Sequence, residues 1–187
     1  LFETSPLIVS YRERPFRLRY PDGAELRSYT PAFELVLRSG EAVFVEVRYW
    51  RQPLDTHASQ DLMEIHGLGQ VAAHLRRSAT PLVLLTDQVV RAQPRLAALK
   101  SIYRHAPRRI PSAPAATAAA ASLQTLLPNR IDVVTERLAP TGVDVYSLLL
   151  SGLLICALDA SVTQSTTVHL SQEAGHDWFH ISQEHGF

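Results

Sequence analysis

Residues 28–52, SYTPAFELVLRSGEAVFVEVRYWRQ, constrain the fold more than any other part of the chain. Two runs of alternating apolar and polar residues, 31–38 and 42–49, flank Ser39-Gly40 and predict a β-hairpin. Side chains two apart on a strand share a face. One face of the first strand therefore carries Ala32 and Glu34, and one face of the second carries Glu46, Arg48 and Trp50. The alternation gathers two carboxylates and a guanidinium on one sheet surface.

Other elements arrange themselves around this hairpin. Residues 1–15 lead in and end in a strand, and 16–20 and 25–29 bracket Pro21-Asp22-Gly23 as an earlier hairpin. After a polar loop at 52–59, Ile65, Leu68, Val71, Ala72 and Leu75 recur at helical spacing and predict a helix over 60–77, despite Gly67 and Gly69. The run LVLLT at 82–86 predicts a buried strand, and Leu96, Leu99, Ile102 and Tyr103 predict a helix over 91–105. The order is that of an α/β layer fold. Residues 107–122 turn abruptly to Pro and Ala, which sets a boundary near 110 and a linker over 110–122, its Ala-rich half starting a helix. Beyond it, helices are expected at 118–127, 132–138 and 143–150 and strands at 153–158 and 166–170. Three helices followed by a β-wing is the layout of a winged-helix domain over 123–170. A polar tail, 171–187, closes the chain.

Composition excludes several classes. At 187 residues and 46% hydrophobic, the chain can bury a substantial core. No run approaches the roughly 18 apolar residues of a membrane span, and the N-terminus lacks a signal-peptide pattern, so the expectation is a soluble protein without membrane partners. The single cysteine, Cys156 in LLICAL, excludes an intramolecular disulfide, suits a core position and fits a cytoplasmic location. The absence of an initiator Met leaves room for an upstream element. Residues 1–109 hold 16 Lys+Arg against 11 Asp+Glu, and residues 110–187 hold 2 against 7, so the first part is the one expected to meet a polyanion. The run Arg91, Arg95, Lys100, Arg104, Arg108, Arg109 contains no acid and is either a solvated helix face or a phosphate-facing surface.

The segments LFETSPLIVSYRERP, YTPAFEL, VFVEVRYW and PLVLLTDQVVRAQPRLAALKSIYRH together resemble the TnsA family, the endonuclease subunits of heteromeric cut-and-paste transposases. In that family an extended segment ends in Gln-Pro, one strand reads Tyr-Thr-Pro-Asp-Phe and the next Val-Glu-Val-Lys. The counterparts here are Arg14-Pro15, residues 29–33 and residues 45–48, followed by 85–87 and by Pro94, Leu96, Leu99 and Tyr103. The resemblance covers residues 1 to 105 and implies a restriction-endonuclease-like mixed sheet flanked by helices over 1–109. The leucine-rich part from 123 to 170 is only loosely like the family's C-terminal winged-helix domain, which contacts partner proteins.

The resemblance also implies a chemistry. Such nucleases hold Mg or Mn beside the scissile phosphate with carboxylates from a helix and two strands, and a strand lysine assists. In this sequence the strand Asp is Ala32, the lysine is Arg48, and the helical acid would precede Leu1. Glu46 alone remains in register as a ligand. Arg48 keeps a charge that can fork onto phosphate but cannot give up a proton. Glu34, on the face of Ala32, is either a relocated acid or an exposed strand carboxylate.

The expectation is therefore a degenerate TnsA-like subunit with a remnant site at Glu46, Arg48 and Glu34. It would bind duplex DNA of transposon ends through Arg12, Arg14, Arg48, Arg51, Arg91, Lys100 and Arg104, and dock with a transposase and an ATPase regulator. Two alternatives stay open: an active Mg-dependent nuclease using Glu46, a relocated Glu34 and an upstream acid, and a non-enzymatic assembly scaffold. An Ala32 introduced to silence an enzyme is a further possibility, though Arg48 would then be a superfluous second change. His176 and His180 have the spacing of helical metal ligands but have no carboxylate or cysteine at ligand spacing inside the pair, and read as part of the polar tail.

Overall fold

A computed structural model describes residues 1–50, 62–171 and 181–182. The chain divides by packing into two compact units, one made of Ile8–Arg91 and the other of Leu1–Leu7 with Ala92–Phe187.

The first unit is mixed α/β. Its strands are β1 (Ile8–Glu13), β2 (Leu18–Asp22), β3 (Glu25–Tyr29), β4 (Phe33–Leu37), β5 (Ala42–Arg48) and β6 (Leu82–Thr86), with helices α1 (Leu62–Ile65), α2 (Gly69–Arg77) and α3 (Asp87–Val90). Four strands form one mixed sheet in the order β1-β4-β5-β6. β4 runs antiparallel to both β1 and β5, whereas β6 is parallel to β5. A parallel neighbour needs a crossover, and α1 and α2 lie in that connection. β2 and β3 form a separate two-stranded hairpin.

The turns follow local chemistry. Asp22 pairs with Glu25, so Gly23-Ala24 is a two-residue loop, and Gly23 supplies the positive φ of 62° that such a loop needs. Between β4 and β5 the amide of Gly40, at φ 88°, donates to the Leu37 carbonyl at 2.9 Å. The expected helix over 60–77 is two helices, because Gly67 takes a left-handed φ of 69° and ends α1 before α2 starts. Residues 60 and 61, like the loop at 52–59, lie outside the described residues.

One face of the sheet is covered within this unit. Leu68, Val71, Ala72 and Leu75, a stripe at helical spacing, pack with Tyr20 of β2 and with Phe44 and Leu82 of the sheet. Leu18, Tyr29, Met63 and Leu84 complete that cluster. The hairpin β2–β3 and helix α2 therefore sit on the face that carries Phe44.

The second unit contains α4 (Arg95–His105), α5 (Ala113–Ala121), α6 (Ile131–Leu138) and α7 (Val145–Leu150). Its three strands, β7 (Asn129–Arg130), β8 (Leu154–Cys156) and β9 (Thr167–Leu170), form an antiparallel sheet in the order β7-β9-β8. Ala98 and Ile102 of α4 share one core with Ala116, Leu123, Ile131, Val134, Leu148, Leu149, Leu154 and Val168. Of the stretch expected as a linker, residues 113–121 are helical and bury Ala116, Ala119 and Ala120. Pro114 stands in the first turn, where a missing N–H costs nothing. Cys156 is a core residue, 4% exposed. No helix among the described residues is long and apolar enough to cross a membrane.

Candidate functional site

Strand register decides which polar side chains meet on the sheet. Along β5, Phe44, Glu46 and Arg48 share one face, and their neighbours on β6 are Leu82, Leu84 and Thr86. Across β4, Glu34 stands opposite Phe44, and across β1, Arg12 stands opposite Glu34. Glu34, Glu46 and Arg48 thus lie on one face. They do not converge on a common point.

Glu46 is buried, 6% exposed, in a row of apolar β5 residues. A lone carboxylate at such a position is unfavourable unless it is paired and hydrogen-bonded. Two neighbours meet that requirement. The Tyr29 phenol, at the end of β3, donates to Glu46 Oε2 at 2.6 Å, and an Arg48 terminal nitrogen lies 3.0 Å from Glu46 Oε1. Burial first, and then the hydrogen bond and negative charge of Glu46, push the Tyr29 phenol far above its ordinary value, so it stays a donor. The Arg48 side chain is 48% exposed, against 8% for Glu46, so the guanidinium forms the outer side of the pair.

Glu34 is engaged elsewhere. Its Oε2 lies 2.6 Å from an Arg12 terminal nitrogen in an ion pair whose arginine is 63% exposed. Ala32, half-buried just before β4, offers its carbonyl to the Arg14 amide at 3.0 Å. Arg14 itself is exposed and takes a positive φ of 43° where β1 ends.

The remaining cations expected on a DNA surface are distributed over both units. Arg91 closes the first unit, with its guanidinium carbon 6.0 Å from the centre of the exposed Tyr49 ring. Lys100 and Arg104 are exposed on α4, in the second unit. Arg51 lies outside the described residues, as do His176 and His180. Division at residue 91 also changes the charge balance, because residues 8–91 hold 11 Lys+Arg against 10 Asp+Glu. The excess of positive charge in 1–109 comes mainly from α4 and the Arg108-Arg109 pair after it.

The residues around Glu46 do not fit a divalent cation. Ala32 has no side-chain oxygen, both oxygens of Glu46 are held by Tyr29 and Arg48, and Glu34 faces Arg12. Among the described residues no three His, Cys, Asp or Glu side chains gather as a metal site. A hard cation of the magnesium type is ordinarily held by carboxylates that keep an oxygen available to it.

Sequence reasoning missed Tyr29 as a member of this cluster. Its place in the hairpin was legible, but nothing in the sequence says that the end of β3 reaches Glu46. Asp87 was also missed: its Oδ1 accepts the Trp50 amide at 2.6 Å and ties the end of β5 to the start of α3. Comparison with family models and with curated proteins finds no match.

Proposed function

We propose that this chain is a catalytically degenerate TnsA-like subunit, which binds transposon-end duplex DNA and docks with a transposase and its ATPase regulator instead of cutting. The mixed sheet, with the Ala32–Glu34 segment beside the Glu46–Arg48 strand, supports a restriction-endonuclease-like first domain. Helices α5 to α7 with a small antiparallel sheet support a winged-helix-like second domain. The order of motifs along residues 1–105 supports the family.

The observation that carries the degenerate reading is the internal satisfaction of Glu46. The one acid in register for metal binding uses Oε2 for Tyr29 and Oε1 for Arg48. A site left in that state has no carboxylate with which to hold a cation beside a phosphate.

A plasmid-nicking assay and a duplex-DNA binding assay, run on the same protein, test the proposal. Binding that weakens steeply from low to physiological salt, with no robust nicking in Mg or Mn, is the expected result. Metal-dependent nicking abolished by Glu34→Ala or Glu46→Ala would replace it with an active nuclease that uses relocated acids.

A further inference from the structure

We infer that the Arg48 guanidinium is itself the cation of this site: it contacts a phosphodiester oxygen directly, and it keeps divalent ions away from Glu46. The inference rests on the DNA-binding reading for its ligand, but its account of the cation stands on geometry alone.

Three features of the cluster lead there. Glu46 is buried and fixed from two sides, by a phenol at 2.6 Å and a guanidinium at 3.0 Å, so it cannot turn toward another cation without breaking one of these contacts. The Tyr29 contact comes from a separate hairpin packed on the sheet, which makes the carboxylate a rigid anchor. The anchor holds Arg48 at its inner side only. With 48% of its side chain exposed, the guanidinium presents its outer side to solvent. A planar, permanently charged fork fixed in this way is well suited to a phosphate, because little side-chain freedom is lost when the anion arrives.

The same arrangement excludes a metal. A divalent ion on Glu46 Oε1 would stand within a few ångströms of a guanidinium that is never neutral, and the two cations repel there, with solvent on the outer side of Arg48 screening only part of that repulsion. Arg48 must leave before a metal can enter. On the same face, Arg12 is held by Glu34 in the same manner, one sheet row away from Glu46. Glu46 and Tyr29 act as positioning residues for Arg48, not as groups that touch the ligand.

Two measurements on the full chain test this, with Mn alone and a short DNA duplex as probes. In Mn titrations followed by electron paramagnetic resonance, the unmodified protein and Ala32→Asp bind no ion at this site, whereas Ala32→Asp combined with Arg48→Ala gains a site that Glu46→Gln in the same background removes. In EDTA, the duplex binds the unmodified protein as tightly as it does in Mg, Arg48→Ala weakens binding roughly tenfold, and Arg48→Lys recovers part of the loss. Arg48→Met, which keeps the aliphatic stem, replaces Arg48→Ala if that variant does not fold.

Mn bound by the unmodified protein and lost in Glu46→Gln would overturn the inference, as would Mn binding no better in Ala32→Asp with Arg48→Ala than in Ala32→Asp alone. DNA binding that needs Mg would also overturn it. Tight duplex binding unaffected by Arg48→Ala but lost with Lys100→Ala and Arg104→Ala would refute the phosphate contact and leave the DNA-binding reading intact. Absence of any duplex binding, with the Mn result as expected, would refute that reading together with the phosphate contact and retain Arg48 as the cation that blocks metal entry.

Discussion

The Tyr29 hydroxyl donates to Glu46 Oε2 at 2.6 Å, and this contact joins the separate β2–β3 hairpin to the inner β5 strand of the four-stranded sheet on which it packs. It turns a buried charge into a satisfied one. It also gives the unit a measurable dependence on alkaline pH.

Tyr29 keeps its proton in the folded protein to a higher pH than in the unfolded chain, where a tyrosine titrates near 10. A raised folded value means that the stabilisation is fully present below about pH 10 and is lost as pH rises toward the folded value. Denaturant unfolding across pH 8 to 11.5 is expected to show stability falling above about pH 10. Tyr29→Phe lowers stability at pH 8 and flattens that fall. An unchanged alkaline slope in Tyr29→Phe would show that other groups set it.

The two ion pairs of the sheet face differ in worth. Arg12→Ala removes an exposed partner from Glu34 and is expected to cost less than about 1 kcal/mol. Arg48→Ala leaves the buried Glu46 with a hydroxyl as its remaining identified partner, and a cost of about 1–3 kcal/mol follows, reduced from that of a fully buried pair by the exposure of Arg48. Equal midpoints for the two variants in urea would contradict this ordering.

Leu35 is fully buried at the centre of β4, and Leu148 likewise in α7. Either residue changed to alanine is expected to lose about 2–5 kcal/mol through lost burial and the cavity left behind. Val36→Ala, at an exposed position on β4, serves as the control and should change stability by less than about 1 kcal/mol.

Asp144 caps α7, accepting from the amides of Tyr146 at 2.8 Å and Ser147 at 3.3 Å. Asp144→Ala is expected to cost about 1 kcal/mol, and Asp144→Asn much less, because both amides donate to the single oxygen Oδ1, which the Asn carboxamide oxygen can replace. Thermal melts of the two variants provide the comparison.

Burial pushes the Cys156 thiol up to about 11. Native protein is therefore expected to resist iodoacetamide at pH 8 and to react readily once unfolded, since the thiolate is the nucleophile and here is both scarce and enclosed. Rapid native alkylation would show that β8 opens locally.

Sequence alone determined most of the strands and most helices, though not the two-residue β7. Period-two alternation in 31–38 and 42–49, the Gly40 turn, the LVLLT run and the Leu68–Leu75 stripe are local patterns. Each is set by side-chain direction and glycine chemistry within a few residues. The same alternation placed Glu34, Glu46 and Arg48 on one face. It could not say whom they meet there, because partners 17 and 22 residues away in sequence are chosen by how a hairpin folds over a sheet and how strands align. The break at 110 was read from proline and alanine content, which reports local stiffness. Tertiary packing instead placed α4 and α5 in one core, since Ala98, Ile102 and Ala116 find their apolar neighbours on α6, α7 and β8. Only the tertiary structure decided that the one acid in register is spoken for, because a buried carboxylate takes whichever donors the fold brings within reach.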